Sequence, residues 1–227
     1  MQVDIDKFQR KIGVEFDNLS ILELALTHSS YANENNLNEY NERLEFLGDS
    51  VLQLCITEYL YENCKDNDEG DLTRKRATIV CESSLHKVGV QWELGKFIKL
   101  SKGESQSGGS TRVSTIADTV EAVIAAVYLD KGYKFACKFI LKFFKDIIKT
   151  SEIINYLDHK TRLQELIQSE TTEKIKYNLV REEGPSHKKT FYVNVVIGGK
   201  EYGFGRGGSK KEAEQSAAQE TLKLLGK

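Results

Sequence analysis

The stretch NERLEFLGDSVL at residues 41–52 decides how the first two thirds of this chain fold. It has good helix formers and no proline, so its pattern predicts a helix running to about Tyr61. At about 100° per residue, Leu44, Leu47, Val51 and Leu54 share one apolar face. Glu45 and Asp49, four apart, share another. That second face continues as Leu52 and Ile56, and Phe46 fills a further sector, so the helix is expected to be apolar nearly all round and buried. One account of its charges is a set of surface ion pairs among Glu42, Arg43 and Glu45. The other is a pair of buried carboxylates, which are costly unless a cation or a proton compensates them.

A second stretch favours the latter. IADTVEAVIAAVYL, from Ile116 to Leu129, is almost wholly apolar yet carries Asp118 and Glu121 at i, i+3. Their face continues as Ala122, Ala125 and Leu129, and no lysine or arginine lies between Arg112 and Lys131. Four carboxylates on two buried helices call for a divalent metal. The donors are all oxygen, without Cys or His beside either pair, which points to Mg²⁺ or Mn²⁺ rather than Zn²⁺.

These residues carry a resemblance. NERLEFLGDSVL is similar to the signature of ribonuclease III, the endonuclease of double-stranded RNA. The likeness continues through EGDLTRKRATIV at 69–80, GESQSGG at 103–109 and STIADTVEAVIAAVYLD at 114–130. It implies an all-α nuclease domain over residues 1–150 that works as a homodimer. Glu45, Asp49, Asp118 and Glu121 would hold Mg²⁺, with Mn²⁺ as a substitute. Asp49 and Glu121 would be catalytic, and Glu42 would lie at the dimer contact or behind the metal ligands rather than on the ions. The implied reaction is hydrolysis of a phosphodiester, leaving 5′-phosphate and 3′-hydroxyl ends, in the processing of ribosomal and messenger RNA precursors.

The period changes after residues 151–157, which read as a linker without Pro or Gly. HKTRLQELIQSE reads as a helix with Leu163, Leu166 and Ile167 inward, IKYNLVREE, KTFYVNVVIGG and KEYGFGRGG as strands, and Lys210 to Leu225 as a closing helix. This α-β-β-β-α order over 158–227, with GPSHKKTF and GSKKEAEQSAA in place, resembles a double-stranded-RNA-binding domain, an α+β fold. Ser209 reads as an N-cap with Glu212 completing a capping box. Gly207 and Gly208 are expected to let a phosphate approach the helix end beside Lys210 and Lys211. The resemblance adds Thr161, Gln164, Gln168 and His187 as minor-groove contacts. His159 stands where the family commonly has proline before its Lys-Thr pair.

Charge agrees with this division. Residues 1–157 hold 19 basic against 24 acidic side chains, a balance of −5, and residues 158–227 hold 13 against 10, or +3. The basic half is the expected electrostatic footprint on RNA.

The remaining stretches yield smaller expectations. Asp4 to Ile12 reads as a helix ended by Gly13. Ser20 reads as the N-cap of ILELALTH, with Glu23 completing a box, and His28 as structural. Gly70 reads as a turn with Asp71 as N-cap of the next helix. Arg74, Lys75 and Arg76 either touch phosphates or support acidic neighbours. Residues 95–112, rich in Gly and Ser, read as a flexible surface loop, which the resemblance implies lies near the substrate. Lys134 to Lys149 reads as an amphipathic helix with Phe135, Phe139, Ile140, Phe143 and Phe144 inward. Cys55, Cys64, Cys81 and Cys137 lack metal spacing, and nothing reads as a signal peptide or membrane span, so a reduced, cytoplasmic protein without a small-molecule cofactor is expected.

Two other readings fit parts of this pattern. A catalytically silent RNA-binding protein on the same fold would not need all four acids. A phosphohydrolase of small substrates would have no use for the second domain.

Overall fold

A computed structural model of the chain describes residues 4–65, 67–155, 159–185 and 189–226, with backbone alone over 151–155. It divides near Ser151 into two compact units.

The first unit is helical. Helix α1 (Ile5–Ile12) is capped by Asp4, whose carboxylate accepts from the Lys7 amide at 2.9 Å, and closed by Gly13 at a φ of 72°. Helix α2 (Leu19–Ala25) is capped by Asn18, not Ser20; the Asn18 side chain accepts from the Ser20 amide at 3.1 Å and the Ser20 hydroxyl at 2.6 Å. A short helix α3 (Ser29–Glu34) then forms where the sequence suggested only a polar connection. His28 begins it, with Nδ1 accepting from the Ser30 amide at 3.1 Å.

Helix α4 (Glu42–Asn63) contains the signature stretch. It is not buried all round. Leu44, Val51, Leu52, Cys55, Ile56 and Leu60 are inside, whereas Phe46, Leu54 and Tyr61 are 79%, 57% and 76% exposed. Helix α5 (Glu69–Ile79) starts earlier than expected: Asp68 caps it by accepting from the Asp71 amide at 2.8 Å, so Gly70 lies in the first turn. The basic run inside it is structural. Lys75, 7% exposed, reaches Asn67 Oδ1 at 2.8 Å, Arg76 reaches Thr57 Oγ1 at 3.1 Å, and Arg74 pairs with Asp71 at 2.9 Å.

Helix α6 (Glu82–Gln91) leads to the Gly- and Ser-rich segment, which is ordered rather than loop-like. It winds through a 3₁₀ turn (Leu94–Lys96), helix α7 (Lys102–Gln106) and a second 3₁₀ turn (Gly109–Thr111). Gly95 is set against the Ser110 carbonyl so closely that an added Cβ would lie 2.0 Å from it, and Glu104 pairs with Arg112.

Helix α8 (Val113–Lys131) is the axis of the core: every residue from Thr115 to Val127 is buried except Asp118 and Glu121. Helix α9 (Tyr133–Asn155) continues through most of the stretch that read as a linker. It buries Phe139, Ile140 and Phe144, and the rings of Phe139 and Phe143 pack on the buried Trp92, tilted and edge-on, with centroids 5.4 and 5.2 Å away. Phe135, expected inward, is 41% exposed.

The second unit is α+β, as the change of period implied. Helix α10 (His159–Glu170) is followed by antiparallel strands β1 (Ile175–Glu183), β2 (Thr190–Ile197) and β3 (Lys200–Gly207), in that spatial order, and by helix α11 (Lys210–Leu224). Val193, Val195 and Ile197 of the central strand meet Leu163 and Ile167 of α10 and Ala213, Ala217 and Leu222 of α11. Strand β3 lies directly on α11. A Cβ at Gly203, Gly205 or Gly207 would fall within 2.6 Å of α11 atoms, so this alternation of glycines sets the sheet-to-helix distance.

Candidate metal centre and RNA-binding surface

The site in the first unit depends on how closely α4 approaches α8. Gly48 lies at the crossing, about one turn after Glu45 and directly before Asp49. A Cβ there would sit 1.8 Å from the Glu121 carbonyl oxygen, so only glycine allows the two backbones to touch. The contact brings an acid-bearing turn of each helix together. One carboxylate oxygen from each of Glu45, Asp118 and Glu121 lies within 4.8 Å of the others. Asp49 stands outside this trio, and both its oxygens accept from Gln53 Nε2 at 2.9 Å. It still faces the group, because its charge raises the proton affinity of Glu45 and Glu121.

Charge is left uncompensated here. Among the described residues none of the four acids forms an ion pair. Burial, then Asp49, Glu45 and Asp118, push the Glu121 carboxyl up to about 8. Burial and the neighbouring carboxylates Asp118, Glu42 and Asp49 raise Glu45. Asp118 is raised by burial and Glu82, and is relieved in part by His28. Such a group binds protons in the absence of metal, and a divalent cation would reverse the shifts. The donors fit one: they are oxygen only, converge from two rigid helices and keep an open side.

Two neighbours of this site have no signal in the sequence. Glu82, at the start of α6, reaches Asp118 only through the packing of α6 on α8. His28, expected only to be structural, caps α3, and its charge also lowers the proton affinity of Asp118. Glu42, on the first turn of α4, is exposed and acts on the centre only through Glu45.

In the second unit Thr161, Gln164 and Gln168 are exposed along one side of α10, and the two glutamines line a cleft with Lys174 and Tyr177. Lys160 is used internally, pairing with Glu214 at 2.7 Å and lying 4.3 Å above the Tyr177 ring. Ser209 caps α11, its hydroxyl accepting from the Glu212 amide at 3.2 Å. The return contact differs from a capping box, since Glu212 accepts from the Gly208 amide at 2.8 Å. Gly207 serves the fold rather than a ligand: its Cβ would lie 2.5 Å from Glu212 Cβ. Lys210 and Lys211 project from the helix start, Lys210 with a long 3.8 Å contact to Glu182, which Lys189 already holds at 2.8 Å. His187 lies outside the described residues.

Residues 18–148 match the family model described as Ribonuclease-III-like, and residues 159–225 match the double-stranded RNA binding motif. Proteins named Ribonuclease 3 from Clostridium acetobutylicum and Clostridium perfringens are each 54% identical, over 97% and 99% of this chain and 96% and 95% of theirs. The chain belongs to the ribonuclease III family. It is an endoribonuclease of double-stranded RNA with a dedicated RNA-binding domain. The nuclease domain of ribonuclease III from Campylobacter jejuni is a structural neighbour with a TM-score of 0.60 and 38% identity, spanning 63% of this chain and 97% of that one. Membership also implies dependence on a divalent metal, which the acidic cluster is suited to hold. Among the described residues no helix is long and apolar enough to cross a membrane.

Proposed function

We propose that this ribonuclease III holds Mg²⁺ on Glu45, Asp49, Asp118 and Glu121, with Mn²⁺ able to replace it, and that Asp49 and Glu121 act directly on the reacting phosphate. The convergence of Glu45, Asp118 and Glu121 within 4.8 Å, without a cationic partner, carries this reading. When bound, the metal supplies Lewis-acid polarisation of the phosphodiester and acidification of water. The chain's own residues do the rest. Gly48 fixes the spacing of α4 and α8, Gln53 orients Asp49, and the buried side of α8 keeps the carboxylates in a field where they retain a cation rather than water. Hydrolysis leaves 5′-phosphate and 3′-hydroxyl ends.

The active unit is a homodimer in this reading. Phe46, Leu54 and Tyr61 fall within one exposed sector of α4, and their rings and methyls are the surface that a second copy would cover. Dimer formation is named for the Campylobacter jejuni nuclease domain. The nuclease domain takes residues 1–150, the connection 151–157 and the RNA-binding domain 158–227. There Thr161, Gln164, Gln168 and His187 meet the minor groove, and Ser209, Lys210 and Lys211 meet phosphate. The four free cysteines fit a cytoplasmic setting.

The test is incubation of the purified protein with a perfectly paired RNA, in Mg²⁺ and in EDTA, with mapping of the product ends. Cleavage confined to the Mg²⁺ arm and giving 5′-phosphates is expected. Intact RNA in both arms, with duplex binding retained, would favour a silent RNA-binding protein.

A further inference from the structure

The sheet of the second unit has two faces, and only one is covered. Gly203, Gly205 and Gly207 turn toward α11, so Phe204 and Arg206 turn away from it. On the central strand Val193 and Val195 enter the core, so Tyr192 points to the same open side. Register places Tyr192 opposite Arg206 and Asn194 opposite Phe204. At the β1 bulge between Leu179 and Arg181, Val180 and Arg181 join this side. The result is a shallow cleft of about 560 Å³ lined by Val180, Arg181, Tyr192, Phe204 and Arg206, with Gly205 of β3 and Ser216 of α11 completing it at the β3 edge.

Its chemistry is unusual for a solvent-facing sheet. Phe204 is 58% and Val180 53% exposed. The Arg181 guanidinium lies 4.2 Å above the Tyr192 ring. Among the described residues Arg206 forms no ion pair, and no lining residue carries a carboxylate; Arg181 pairs with Glu183 at 3.1 Å, an exposed contact that a phosphate would have to replace. An apolar helix from a partner protein would leave the guanidinium of Arg206 unpaired at the contact. A planar group with an anionic backbone satisfies both features, since a ring stacks on Phe204 and Tyr192 while phosphates meet Arg181 and Arg206. Strand β3 also runs through Gly207 and Gly208 into Ser209, Lys210 and Lys211, so the cleft adjoins the helix start that faces duplex phosphate.

We propose that the open face of this sheet binds unpaired nucleobases, so that single-stranded RNA leaving a duplex stacks across Phe204 and Tyr192 between Arg181 and Arg206. The duplex site lies on α10 and the start of α11; this second site reads what flanks the duplex. It gives the enzyme a preference between substrates with equal paired lengths but different single-stranded extensions.

The full-length protein in EDTA, titrated by fluorescence anisotropy into two RNAs of identical duplex, tests this. One RNA is blunt and the other has oligouridine extensions at both ends. The extensions are expected to tighten binding about tenfold, the scale of one base–aromatic stack. Phe204→Ala should abolish that gain and leave the blunt duplex unaffected, while Phe204→Tyr should retain it. Arg206→Gln, which leaves the ring in place, should cut the gain about threefold, as loss of one phosphate contact does. No gain in the native protein, or an undiminished gain in both Phe204→Ala and Arg206→Gln, overturns the proposal. Absence of the gain together with self-association that Phe204→Ala removes would mark the face as a protein contact and equally overturn it.

Discussion

Both units of this molecule use glycine to bring two backbones into contact, and they put opposite chemistry at the contact. Gly48 closes α4 onto α8 at a crossing flanked by carboxylates that form no ion pair among the described residues. Gly203, Gly205 and Gly207 close β3 onto α11 along Glu212, Ala213, Ser216, Ala217 and Thr221, where the one carboxylate is satisfied by a backbone amide. The acids of the second unit are treated differently as well: Glu182 is held by Lys189, Glu214 by Lys160, and Glu212 accepts from a backbone amide. Compensated carboxylates there serve folding. Those in the first unit raise one another's proton affinity, and perturbation of that kind is common where a chain keeps a reactive centre.

The sharpest way to break this comparison is Gly48→Ala. A Cβ 1.8 Å from a backbone oxygen cannot be absorbed by a rotamer change, so the helices must part. A loss of at least about 2 kcal/mol in urea unfolding of the first unit is expected, with cleavage falling below detection. A variant as stable and active as the native protein would mean the crossing does not set the site.

Glu121→Gln probes the same contact without disturbing it. Volume is kept and one charge removed, so the duplex should still bind in a gel shift while its cleavage in saturating Mg²⁺ slows at least about 100-fold. Near-native turnover would place the chemistry elsewhere.

The same substitution sharpens the electrostatic side. Folding raises the Glu121 carboxyl from 4.5 to about 8, so between those values the metal-free fold binds a proton that the unfolded chain has released. Stability contributed by that proton is full below about pH 4.5 and lost as pH rises through about 8. In EDTA the melting temperature of the native protein should therefore fall relative to Glu121→Gln across this window. Adding Mg²⁺ should stabilise the native protein more at the upper end than at the lower. Parallel melting curves for the two proteins would remove the uncompensated charge from the account.

The smallest effect belongs to the compensated unit. Lys211→Ala should weaken duplex binding a few-fold and reduce the slope of log K against log salt by about 0.9, one phosphate contact, with cleavage at saturating RNA unchanged. An unaltered slope would remove Lys211 from the phosphate surface.

Much of this was legible in the residues. The apolar run of α8 interrupted only by Asp118 and Glu121, and the switch from helical to alternating period after residue 158, follow from periodicity alone. Local competition obscured the caps. Asn18 and Ser20 both offer an oxygen, as do Asp68 and Asp71, and which one caps depends on where the chain enters. The segment 95–112 looked like a loop because Gly and Ser usually mean one, whereas here the glycines permit close packing against Ser110 and Glu104. The exposed stripe of α4 was hidden for another reason: apolar residues left facing outward, as Phe46, Leu54 and Tyr61 are, look the same in sequence as those that face the core. Glu82 and His28 approach Asp118 only through tertiary packing, which no spacing along the chain encodes.

That ordered segment has a kinetic consequence. Ser101 caps α7, Glu104 and Arg112 clasp across it, and Gly109 is buried beneath Glu104. Its backbone freedom is thus surrendered when the protein folds and not when a ligand arrives, so a ligand meeting this edge would encounter a finished contour. Association there should be limited by diffusion and charge steering, without a slow rearrangement. Its amides should exchange with solvent on the timescale of the helices they adjoin, far more slowly than their glycine content suggests.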